Sequence, residues 1–97
     1  METVKVLVTD KVRGIYYGSI DLIALEGFRG GGVVLHDARH CFFYAKCEGT
    51  YSLATKGPQP GSKIGPVVKR QAISDVATIS TCDAAAVAAW EAAGWSS

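Results

Sequence analysis

The amino-acid sequence predicts a mainly β, α+β domain: a small antiparallel sheet, or a partly open barrel or sandwich, closed by one C-terminal α-helix. Three observations predict it. Val4, Val6 and Val8 alternate in a β-branched opening segment, the period of a strand. Glycine clusters at 30–32 and 57–66 punctuate the chain at turn spacing. The run from Cys82 to Ala93 is almost entirely strong helix formers. The 97 residues make one domain, 1–97, long enough to bury a core without metals or disulfides.

Val4 to Thr9 reads as the first strand, and Asp10-Lys11 as a turn. Arg13 to Leu25 reads as a second extended region, with Gly14 and Gly18 marking bulges or close backbone contacts. Glu26 to Gly32 is a glycine-rich turn able to reach positive φ. In Val33 to Cys47 neither the odd nor the even positions give a clean apolar face. Two strands, Val33–His36 and His40–Ala45, joined by a kink at Asp37–Arg39 account for this, as does one continuous bent strand. Tyr51 to Thr55 reads as a short strand, and Gly57 to Pro66 as an ordered loop with no strand interior. Ile73 to Ser80 is again β-branched and reads as a strand.

The closing helix spans about 82–93. Thr81 is placed to cap it, Asp83 adds a favourable charge in the first turn, and Gly94 sits where a left-handed residue ends a helix. In that register Trp90 and Trp95 should touch. The segment is too short to be stable alone, so Val87 and Trp90 must dock on the sheet or on another subunit. The alanines permit close approach.

Composition excludes several functions. A formal net charge of +1 argues against charge-driven nucleic-acid binding. There is no long apolar run to cross a membrane, and METVKVLVTD is not a secretory signal. Cys41, Cys47 and Cys82 are an odd set, which suggests reduced thiols in a cytosolic setting, with a disulfide left open.

The candidate chemistry is sparse. His36, His40, Cys41 and Cys47 carry metal-ligand atoms, but residues four apart on a strand lie roughly 13 Å apart, so no metal is expected. Gly57 to Lys63 only superficially resembles a phosphate-binding P-loop, since the second glycine comes early and Gly65-Pro66 stop any following helix. No nucleophile–base set is recognisable, and the chain reads as non-enzymatic, without a cofactor. From Gly49 through Ser74 there is no acidic residue, while Lys56, Lys63, Lys69 and Arg70 all fall there. With its glycine N–H groups, this stretch can receive an anion; it can equally be a solvated loop with ordinary lysines. Arg29 beside Gly30–Gly32 offers a second such place. Asp37 and Arg39, if partly buried, should pair or satisfy backbone groups at the kink. Tyr44, with its neighbouring aromatics, can line a pocket or simply fill the core. The candidate ligand-binding set is therefore Arg29, Arg39, Tyr44, Lys56, Lys63, Lys69 and Arg70.

The segments VVLHDARHCFFYA, YSLATKGPQPGSKIGP, ISDVATIS and DAAAVAAWEAAGW together resemble small uncharacterised proteins of tailed bacteriophages and prophages. The matching residues are Ala38, Arg39, Phe43 and Tyr44 in an ARxxxYW-like strand. Leu53, Ala54 and Gly57 match an LAxxG strand, and Val76 and Ile79 a VxxVxEI-like strand. The likeness covers about two-thirds of the chain, and Cys41 departs from the bulkier residue of that pattern. The resemblance implies a phage origin, a β-rich fold and action in the host cytoplasm, and supplies no catalytic residues. The expected function is a binding module, a host-defence inhibitor that binds a host protein or sequesters a phosphate-containing nucleotide. The alternative is an assembly protein of a phage particle. A homo-oligomer is expected in either case.

Overall fold

A computed structural model of the chain describes residues 2–12, 14–43, 52–59 and 62–93. Its elements are β1 (Thr3–Asp10), β2 (Ile15–Asp21), α1 (Leu22–Glu26), β3 (Val33–Phe43), α2 (Ser52–Thr55), β4 (Lys63–Ile64), β5 (Val68–Ile73), β6 (Val76–Thr81) and α3 (Ala84–Ala92). The fold is mainly β, an antiparallel sheet with a C-terminal helix.

All pairings are antiparallel, in the order β4-β3-β2-β1-β6, with β5 also on β3. β5 pairs with residues 33–38 of β3 and β4 with residues 41–43, on the edge of β3 that β2 leaves open. The outermost strands, β5 and β6, are joined by only Ser74 and Asp75. In a flat sheet their four inter-strand steps would total about 19 Å, whereas a two-residue link spans at most about 11 Å. The open sheet must therefore roll strongly enough to bring these strand ends together. Val76 N donates to Gly31 O at 2.9 Å and Lys11 N to Asp75 O at 3.0 Å, pinning the corner.

The roll creates two cores. Val6, Val8, Ile20, Leu35, Ala38, Ile73 and Val76 pack together inside it. Leu7, Ile15, Tyr17, Cys41 and Ile64 pack outside it, under Leu53 and Ala54 of α2 and Ala86 and Trp90 of α3. Burial on both faces explains why Val6, Leu7 and Val8 are consecutive apolar residues. Trp90 is fully buried, its Nε1 donates to Leu53 O at 2.9 Å, and its ring lies parallel to Tyr17 with centroids 5.1 Å apart. Of the two residues expected to dock α3, Trp90 is buried and Val87 half-buried; Ala86 joins Trp90 in the core.

β3 is continuous, the bent-strand alternative of the sequence. The bend is a bulge at Asp37, φ 51°, where the register with β2 shifts. Leu35 and Ala38 both face the inner core while Cys41 faces the outer one, so the bulge reverses the alternation and restores two apolar faces. Gly18 lies opposite, where a Cβ would sit 3.1 Å from Leu35 Cβ and 3.2 Å from His36 O.

Five expectations need correction. The extended region from Arg13 ends at Asp21, and Leu22–Glu26 is helical, since Leu-Ile-Ala-Leu-Glu is rich in helix formers. Tyr51–Thr55 is not a strand, because Ser52–Thr55 forms a helical turn that carries Leu53 and Ala54 under α3. The loop 57–66 contains β4, whose two residues fill the rest of the β3 edge. Ile73–Ser80 is the end of one strand and most of another, broken by Asp75 at φ 52°. Asp83, not Thr81, is the N-cap of α3, because Thr81 remains in β6. The expected Trp90–Trp95 contact involves a residue outside those described.

Candidate functional site

Strand alternation turns Val34, His36, Arg70 and Ala72 outward, opposite in sense to the buried Leu35 and Ile73. His36 and Arg70 are direct cross-strand partners. Beside this ribbon stand α1 and the loop 27–32, and between them runs a groove of about 1030 Å³. Asp21, Phe28, Arg29, His36 and Arg70 line it, with Gly30 and Gly32. Gly30 and Gly31 hold φ 114° and 88°, and a Cβ on either would meet nothing within 4 Å. The backbone at the rim is therefore open, in a conformation that suits glycine.

The polar side chains of the groove are largely unengaged. Among the described residues, the side chains of Asp21, His36 and Arg70 make no hydrogen bond or ion pair. Asp21 is the N-cap residue of α1, yet its carboxylate makes no capping bond. Arg29 is folded back, donating from Nη1 to Phe28 O at 3.0 Å and Glu26 O at 3.3 Å. Chemically the groove offers cations and open N–H groups for an anion, one carboxylate for a donor, and apolar walls for a ring or chain.

Of the residues singled out in the sequence, the groove brings together Arg29 and Arg70. Arg39 belongs elsewhere. It is 6% exposed, with Nε donating to Gly65 O at 2.9 Å and Nη1 to Trp90 O at 2.8 Å and Ala93 O at 2.5 Å. It ties the C-terminal end of α3 to β3. Burial lowers its pKa from the ordinary arginine value. Of the two alternatives for Asp37 and Arg39, the bulge leaves Asp37 exposed, and Arg39 takes the second, satisfying backbone carbonyls, those of Gly65 and α3 rather than of the kink. Lys56 follows α2 on the other side of the sheet, Lys63 pairs with Phe43 at the far end of β3, and alternation turns Lys69 away from the face of Arg70. The basic residues of the acid-free stretch are thus dispersed, and among the four only Arg70 lines the groove. Tyr44 lies outside the described residues.

Asp21, Phe28 and His36 were not legible as site residues. His36 becomes one only through its register with Arg70, and Asp21 only because α1 starts there. Among the described residues no group of three His, Cys, Asp or Glu side chains is placed to hold a metal ion, and no helix is long and apolar enough to cross a membrane.

No curated protein and no solved structure matches the chain. Residues 3–90 match the model of a domain of unknown function, DUF6948, so the match runs from β1 into α3 and takes in every residue of the groove, and the chain belongs to that family.

Proposed function

We propose that this protein is a non-enzymatic binding module that holds a phosphate-bearing small ligand in the groove between the glycine loop and the β3–β5 ribbon. The observation that carries this is that Arg29 and Arg70, from distant parts of the chain, line one groove together with the open backbone of Gly30. Two guanidinium groups and free N–H groups are the chemistry of oxyanion recognition. On the resemblance to phage proteins, the place of action is the host cytoplasm.

A thermal-shift screen with inorganic phosphate, pyrophosphate, nucleotides and cyclic dinucleotides tests this, since a ligand selective for the native state raises Tm. Arg70→Ala is expected to weaken binding about tenfold or more, the loss of one charge-assisted hydrogen bond. Lys63→Ala, away from the groove, should leave it unchanged. No shift with any anion, or equal loss in both variants, overturns the reading.

A second reading is favoured by one observation. Phe42, Phe43 and Val67 are each more than half exposed, and such apolar surface suits contacts between copies in a homo-oligomeric or particle assembly. Light scattering that gives a monomer at high concentration, together with absence from purified virions, would dispose of it.

A further inference from the structure

We infer that the ligand of the groove is a nucleoside phosphate, with its phosphate on Arg70 and Arg29 and its nucleoside read by Asp21 and Phe28. This rests on the binding function proposed above and goes further than it. Three observations carry the inference. The first is size: at about 1030 Å³, the groove is far larger than a bare oxyanion needs.

The second is unpaired opposite charge. Asp21 and Arg70 border the same groove, yet neither forms an ion pair. Opposite charges that line one groove without pairing suit a ligand that carries both an anion and hydrogen-bond donors. A nucleoside phosphate has this form, since its hydroxyl and ring amino groups donate and its phosphate accepts. The carboxylate of Asp21 is available for this because it makes no capping bond to α1. A carboxylate in an anion site that recognised phosphate alone would only repel it.

The third is the wall. Phe28 packs partly against the inner core and also lines the groove, so its ring is held by the fold while one side borders the cavity. A fixed aromatic ring can stack on a base of any identity.

The test compares inorganic phosphate, ribose 5-phosphate and nucleoside monophosphates by calorimetry and thermal shift on the full chain. The expected order places the nucleoside monophosphates tightest by tenfold or more. Asp21→Asn, which keeps a good capping residue at the start of α1, should remove most of that preference while leaving phosphate affinity equal or improved. Phe28→Leu, which keeps an apolar side chain against the core, should lose discrimination between nucleoside monophosphate and ribose 5-phosphate. Phosphate binding with no gain from the nucleoside, or an Asp21→Asn variant with unchanged preference, overturns this inference and leaves the binding function standing. Loss of all anion binding in the wild-type protein removes both.

Discussion

At the residue scale, Arg39 and Arg70 show how one residue type serves two purposes. Arg39 is buried against three carbonyls. Truncation leaves those acceptors unpaired, and Arg39→Ala should cost about 3 kcal/mol or more in urea unfolding. Arg39→Lys should recover little, because a lysine lacks the planar fork. Arg70 is exposed and unpaired, so Arg70→Ala should stay within about 0.5 kcal/mol of wild type while losing the ligand. The two arginines look alike in sequence. The bulge at Asp37 decides the face on which Arg39 stands, while alternation in β5 turns Arg70 outward, and a bulge leaves no mark in composition.

Titration belongs at the same scale. Burial pushes the Cys82 thiol from 9.0 up to about 11. The Tyr17 phenol is raised above 10.0, first by burial and then by its hydrogen bond to Glu91. The folded state holds both protons more tightly than the unfolded chain, so stability is present below pH 9 and lost as pH rises. Melting temperature should fall from about pH 9, the ordinary thiol value. Cys82→Ala should remove the loss between 9 and 11, and Tyr17→Phe the part that begins near 10. On the acid side, burial lowers the pKa of His40 below 6.5. That contribution is present above 6.5 and lost as pH falls below it, and His40→Gln should flatten the acid limb.

At the scale of elements, α3 depends on close approach rather than on an apolar stripe. Gly57, at φ 80°, lies where a Cβ would come 2.5 Å from Ala89 Cβ and 3.0 Å from Ala86 O. Gly57→Ala should therefore destabilise by about 2 kcal/mol or more, through both the backbone and the clash, read as a lower urea midpoint with unchanged slope. Gly18→Ala, opposite the bulge, should cost about 1–3 kcal/mol for the same steric reason. β1 and α3 were legible because β-branched content in the one and helix formers in the other agree with the elements formed. α1, α2 and the β5–β6 corner were not. Leu22–Glu26 and Ser52–Thr55 are too short for a period to show. The corner depends on Asp75 adopting φ 52°, which alternation in ISDVATIS conceals.

At the scale of the molecule, the net charge of +1 hides a local concentration of guanidinium groups at one groove. Ligand affinity should fall as salt is raised from 50 mM to 500 mM, while the stability of the empty protein changes little; affinity independent of salt would contradict an electrostatic site. The rolled sheet explains why the groove could not be foreseen. It joins the segment at 20–36 to the segment at 70–74, and only the tertiary pairing of β3 with β5 brings them together.

The pairing of β1 with β6 has a kinetic consequence. Thr9 and Thr78 share a hydroxyl hydrogen bond across 69 positions of chain, and β1 gains its second neighbour only when β6 exists. Contacts of such long range slow folding toward the millisecond-to-second regime of β-barrels. During synthesis the first strand must wait, with one edge unpaired, until β6 has left the ribosome. Chains arrested before β6 should therefore remain open to proteolysis.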